Sequence, residues 1–252
     1  MLVAVFSDAH GNAFALDAVL RAAQAEGVDA YWCIGDLVAH GAEPSKVASR
    51  VRRLPGLVCV RGNTDRYVLT GDVSGMIPPI DRPTTDAEFQ VLADARESFV
   101  WTRGCLVGSG DIDWLAGLPM EHRVTLPDGT RVLLVHGSPG RDDGPGLSLD
   151  ATDEQLASIG FTDEVADLVL VGHTHVPGER WVGGCHAVNP GSVSLPPVSD
   201  DRARWLLLEG TTSGYTIDHR SETYDLGLAT RELQLQRHPS AEWLTMKMTN
   251  RR

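Results

Sequence analysis

The strongest constraint on this chain is a strand, loop and helix unit that recurs with a polar block at the end of each strand. Leu2–Phe6 is a short apolar run ending in Ser7-Asp8-Ala9-His10-Gly11-Asn12. Phe14, Leu16, Val19 and Leu20 then recur at helical spacing, with Asn12 placed to cap the helix and Gly27 to stop it. The unit repeats as a strand over Ala30–Ile34, a loop from Gly35, a helix over residues 44–53, a strand over 57–61 and a loop from Gly62. Strands alternating with helices predict a largely parallel sheet, and such sheets bind ligands beyond the carboxyl ends of their strands. Asp8, Asp36 and Asn63 each follow a strand, so this topology makes them converge.

The second half reads differently. Residues 67–118 contain a Gly- and Pro-bearing stretch through Pro83, then predicted helices over 85–101 and 111–115. This segment is either an inserted lid over the site or a plain surface excursion. Asp128-Gly129 predicts a hairpin whose second strand, residues 131–135, delivers His136. The run 167–171 delivers Gly172-His173-Thr174-His175, and later runs at 180–182, 186–188, 205–208 and 215–219 read as antiparallel strands of a further sheet. Two helices are expected over 221–237 and 240–248. The predicted organisation is one domain over 1–220 with a helical extension, 221–252, packed on it.

Composition narrows the function. A net charge of −12 argues against extended contact with a nucleic-acid backbone, which relies on clustered Lys and Arg. Cys33, Cys59, Cys105 and Cys185 are widely spaced without a CxxC pair, as expected of free thiols in a reducing compartment. Met1 to Phe6 carries no basic region before Ser7-Asp8, and no apolar run reaches the length of a membrane span. These features make the cytoplasm the expected compartment, with no membrane partner.

Clustered Asp, His and Asn suit borderline divalent metals such as Mn, Fe, Zn or Co better than Ca or copper. Asp8 and His10 are one residue apart and can serve one metal, as can His173 and His175. Each block alone is weak; in order, each at a strand end, they reinforce one another. The set Asp8-x-His10, Gly35-Asp36, Gly62-Asn63-Thr64-Asp65, His136-Gly137 and Gly172-His173-x-His175 resembles the calcineurin-like metallophosphoesterases. Gly35-Asp36-Leu37-Val38, His136-Gly137-Ser138-Pro139 and Asn189-Pro190-Gly191-Ser192-Val193 are similar to its small bacterial branch of predicted phosphodiesterases.

The resemblance implies a four-layer α/β sandwich of two stacked mixed sheets flanked by helices. It also implies two divalent metal ions (Mn, Fe, Zn, Co or Ni, with Mn expected to serve in vitro). Asp8, His10 and His175 would hold the first and Asn63, His136 and His173 the second, with Asp36 as bridge. The implied activity is hydrolysis of phosphodiester, phosphomonoester or nucleotide anhydride bonds by a metal-bridging hydroxide. The chain departs from the family at Thr64, where a His usually acts as general acid, held by the following Asp, here Asp65. His40 either takes over that role or is an exposed loop residue. Asn12 either contacts phosphate or only caps its helix, and Arg141 either offers phosphate a forked donor or is a solvated loop residue. The expected partner is a small phosphorylated substrate; a non-catalytic metal-binding scaffold for protein–protein interaction is the alternative.

Overall fold

Side chains of β1 (Leu2–Phe6) alternate between two buried faces, Val3 and Val5 on one and Ala4 and Phe6 on the other. A strand buried on both faces needs a packed layer on each side. The computed structural model, which describes residues 1–73, 85–196 and 202–249, supplies both.

The first sheet joins β1 in parallel to β2 (Ala30–Ile34), and β2 to β3 (Val58–Val60). Against its outer face lie α1 (Ala13–Glu26), α2 (Pro44–Val51), α3 (Asn63–Thr70) and α4 (Asp86–Ser109), which contribute Leu16, Val47, Tyr67 and Phe99 to the same apolar cluster as Phe6. A short α5 (Ile112–Ala116) follows α4. The second sheet is built from β4 (Glu121–Thr125), β5 (Arg131–Val135), β6 (Leu168–Leu170), β7 (Gly178–Val182) and β8 (Cys185–Asn189), in the order β4-β5-β6-β8-β7. Between the sheets, Val3, Val5, Trp32 and Ile34 meet Val132, Leu134, Leu168 and Leu170. Leu133, Val135 and Val169 point outward, where Leu156 of α6 (Asp153–Ser158) and Phe161 cover them. The result is an α/β fold of two mixed five-stranded sheets with helices, as the resemblance implied.

Several sequence expectations change. The last two strands, β9 (Arg202–Thr211) and β10 (Gly214–Thr223), do not join the second sheet; β9 pairs antiparallel with β1, giving the order β10-β9-β1-β2-β3. β9 is suited to a place beside the doubly buried β1, because Leu206 and Leu208 enter the inter-sheet layer while Ala203 and Trp205 face the helices. β8 pairs antiparallel with β7 but parallel with β6. The helix predicted over 85–101 continues to Ser109, opened by a Thr85/Glu88 capping box and stopped at Gly110. The predicted boundary at residue 220 falls inside β10, and α7 (Leu226–Leu235) and α8 (Ala241–Thr249) follow. Leu233, Leu244 and Met248 of these helices form one cluster with Phe14 of α1. Residues 74–84, which hold the predicted Gly- and Pro-bearing stretch, and the last three residues of the predicted extension lie outside the described residues. The four cysteines are free thiols.

Leu134 is fully buried between the sheets, so Leu134→Ala should lower stability by about 2–5 kcal/mol, read as a lower urea midpoint. Val100→Ala on the exposed face of α4 should change it by no more than about 0.5 kcal/mol.

Candidate metal centre

The β1/β2 ladder continues past the ends of its strands. The Asp8 amide donates to the Gly35 carbonyl at 3.1 Å, that of His10 to Asp36 at 2.9 Å and that of Gly11 to Leu37 at 2.7 Å. These bonds set the Asp8 and Asp36 loops side by side. In the other sheet, the Gly172 amide donates to the His136 carbonyl at 2.9 Å. The segment after β8 ties the two halves together: the Val193 and Ser194 amides donate to the Ser7 and Asp8 carbonyls, and Ser192 Oγ donates to the Asp8 carbonyl at 3.0 Å. Asn189 Nδ2 bonds both the Gly172 carbonyl and Thr174 Oγ1.

Close approach demands glycine at two of these junctions. A Cβ at Gly62 would stand 2.0 Å from Asp36 Oδ1, and one at Gly172 would stand 2.0 Å from Ser7 Oγ. Elsewhere the chain accepts strain. Among the described residues seven non-glycine positions have positive φ, and six of them are Asp8, His10, Asp36, His40, His173 and His175. Left-handed backbone costs such residues on the order of 1–3 kcal/mol each and gathers at functional sites.

The imidazoles are held in defined tautomers. His136 Nδ1 donates to the Ile34 carbonyl and His175 Nδ1 to the Leu195 carbonyl, both at 2.6 Å, so each Nε2 is left to face the centre. His173 is turned the other way: Nε2 donates to the Gly144 carbonyl at 2.9 Å, and Nδ1 faces Asn63 Oδ1 at 3.0 Å. Backbone bonds that fix one ring nitrogen and free the other are typical of metal-ligating histidines. His10 Nε2 lies 3.1 Å from His175 Nε2. Asp8 Oδ1 is 3.2 Å from His175 Nε2, 3.7 Å from His10 and 3.8 Å from His136. Asp36 spends Oδ1 on the Thr64 amide at 2.9 Å and turns Oδ2 toward His136 Nε2 at 3.2 Å and His10 Nε2 at 3.8 Å.

Electrostatics describes the same centre. Burial opposes ionisation of Asp36, yet the neighbouring His136 and His10 hold the carboxyl well below its usual range. Burial likewise favours a rise at Asp8, but the adjacent His175 overcomes it and holds that carboxyl below its usual range. Burial pushes His10 down to about 3. At His136 burial acts in the same sense, but the Asp36 carboxylate lifts it to about 10. In the chain alone, a proton on His136 therefore balances part of the carboxylate charge.

Divalent cations fit this donor set. Both carboxylate oxygens of Asp8 and Nε2 of His136 are buried without a hydrogen-bond partner, which is costly unless a cation satisfies them. Ligand atoms lie within 4.8 Å of one another in two groups, Asp8/His10/His175 and Asp8/Asp36/His136. Asp8 thus reaches both halves, as Asp36 does. Metal binding at pH 7 must displace the His136 proton, so Mn²⁺ titration by calorimetry in buffers of different ionisation enthalpy should report release of about one proton. Equal heats in all buffers would mean that His136 is already neutral.

Of the other predicted site residues, the structure keeps His40 and Thr64 in the lining of the cleft and places Asp65, Asn12 and Arg141 outside it. Asp65 is fully buried and faces backbone, accepting from the amides of Leu37, Val38 and Gly62; it clamps the Asp36 loop to the start of α3 and is a positioning residue instead of a catalytic one. Burial and the Asp36 charge push it up to about 7. His40 is half-buried beside His10, with ring centroids 5.2 Å apart, and burial lowers it to about 4, so it is neutral at pH 7. Asn12 caps α1 through the Ala15 amide and donates to Ser194 Oγ. Arg141 lies away from the cleft lining, paired with Asp143. Sequence reasoning missed the hydrogen-bonding work of Ser7, Asn189 and Ser192, although all three stood in quoted blocks. It also missed Phe99, Trp243 and Lys247, which with His10, Asp36, Asn63, Thr64, His173 and His175 line a cleft of about 500 Å³.

Residues 1–212 match the family model for the calcineurin-like phosphoesterase superfamily domain. Over 259 aligned residues the chain is 26% identical to an uncharacterized protein, MJ0912, of Methanocaldococcus jannaschii, covering 96% of this chain and 95% of that one. Among solved structures, hypothetical protein PH1004 from Pyrococcus horikoshii has the same fold with a TM-score of 0.80 at 20% identity, over 100% of this chain and 99% of that one. A metallophosphoesterase from Sphaerobacter thermophilus matches with a TM-score of 0.73 at 24% identity, over 98% of each chain.

Proposed function

Because this chain belongs to the calcineurin-like phosphoesterase superfamily, we propose that it is a metal-dependent phosphoric ester hydrolase acting on a small phosphorylated molecule. One observation carries the reading: unpartnered, buried oxygens of Asp8 stand among imidazoles whose tautomers backbone carbonyls fix, beside an open cleft. Asp8, His10 and His175 are the proposed ligands of one cation and Asn63, His136 and His173 of another, with Asp36 between them. Two such cations, when bound, supply Lewis acidity toward a phosphoryl oxygen and an activated water.

The chain's own residues then orient and hold. Asp36 keeps its position because the Thr64 amide occupies Oδ1, leaving Oδ2 for the centre. His173 is steadied by the Gly144 carbonyl, and that loop is anchored in turn by Arg66, which forks onto Asp142 and bonds Asp143. Mn²⁺-loaded protein should hydrolyse bis-p-nitrophenyl phosphate, and Asp36→Asn, which keeps the Thr64 bond but loses the charge, should abolish turnover. Bound metal without turnover on a broad phosphoester panel would favour a metal-binding scaffold, the reading to which Thr64 lends some weight.

Thr64 has no useful acidity at neutral pH, and a His40 lowered to about 4 carries no proton to give there. Leaving-group protonation is therefore weakly assisted, and a general acid is commonly worth about 10²–10⁴ in rate. Aryl phosphodiesters should outpace alkyl ones by at least about 10² in kcat, a gap in keeping with that range. Thr64→His should narrow the gap; equal wild-type rates on both substrates would refute the assignment.

A further inference from the structure

Part of the cleft wall comes from beyond the family's common domain. The family match ends at residue 212, yet Trp243 and Lys247 of α8 line the cleft beside His10 and Asp36. Their placement follows from how α8 is held. Ala241, Leu244 and Met248 bury one face of the helix against Ala229 and Leu233 of α7, and Trp243 and Lys247 fall on another. Trp243 remains 47% exposed. Its ring centroid is 6.3 Å from that of His40, which is 5.7 Å from that of Phe99. Lys247 Nζ stands 5.6 Å from the Trp243 centroid and is the only Lys or Arg side chain among the described residues lining the cleft.

Core packing does not account for a half-exposed indole at this position, whereas a planar ligand would cover its free surface. A cation beside an electron-rich π face, next to a centre built for phosphate, matches a molecule that combines a flat ring with negative charge. We propose that α8 is the specificity element of this cleft. Trp243 stacks on the planar ring of a phosphate ester that carries one, such as the base of a nucleotide, and Lys247 meets its anionic groups. The assignment rests on the phosphoesterase reading and names its substrate class.

The test uses full-length, Mn²⁺-loaded protein and two probes with the same phosphate, AMP and ribose 5-phosphate, which differ by the base. Calorimetry should show AMP binding about tenfold more tightly, the scale of one base stacking on an aromatic side chain. Trp243→Ala should bring AMP to the affinity of ribose 5-phosphate without weakening the latter. Trp243→Phe should keep most of the preference, and Lys247→Ala should weaken both ligands. A thermal melt unchanged in these variants separates loss of the wall from loss of fold. Equal affinities in the wild type, or a preference that survives Trp243→Ala, overturns the proposal. Hydrolysis of bis-p-nitrophenyl phosphate, run alongside, reads the parent claim: turnover with equal affinities sinks the α8 assignment alone. A preference abolished by Trp243→Ala, with no turnover of that substrate or of a broad phosphoester panel, supports α8 as a ligand wall and sinks the hydrolase.

Discussion

Two carboxylates, Asp8 and Asp36, are held out of water at the meeting point of two sheets, and the rest of the architecture depends on keeping them there. Burial penalises both charges, and the surrounding imidazoles offset the penalty only because backbone carbonyls orient those rings. Six residues of the centre with left-handed backbone add to the cost. Such a centre persists only where the surrounding packing over-determines it.

That over-determination comes from an interlocked set of short-range contacts. Asp65, with no side-chain partner in the cleft, spends its oxygens on three amides and welds the Asp36 loop to α3. Ser7 Oγ donates to the Ile34 carbonyl, and Ser192 and Asn189 carry the link across to the Asp8 and His173 loops. These are buried polar groups with satisfied bonds, so each loop is fixed by its neighbour more than by its own sequence. The inter-sheet layer of Val, Leu, Ile and Trp32 beneath them supplies the rigid floor.

The centre is preorganised for positive charge, while the chemistry of proton donation is thin. Thr64 has no useful acidity at neutral pH, and His40, an imidazole outside the candidate metal-ligand groups, is kept neutral by burial beside Phe99, Trp243 and His10. The same burial that disarms His40 as an acid makes it part of an aromatic wall.

Legible in the sequence were the strand-end blocks, the parallel β1-β2-β3 part of the first sheet and the residue types of the candidate metal centre, because apolar periodicity and block order are local signals. Asp8, His10, Asp36, Asn63, His136, His173 and His175 could be named as candidate ligands for that reason. Tertiary structure alone decided that β9 and β10 return to the first sheet beside β1, since strand partnership depends on which faces need cover. It also decided that Asp65 clamps backbone, that Arg141 is spent on Asp143, and that α8, far along the chain, walls the cleft. Those outcomes turn on where side chains point once distant segments pack, and no spacing rule along the chain encodes that direction.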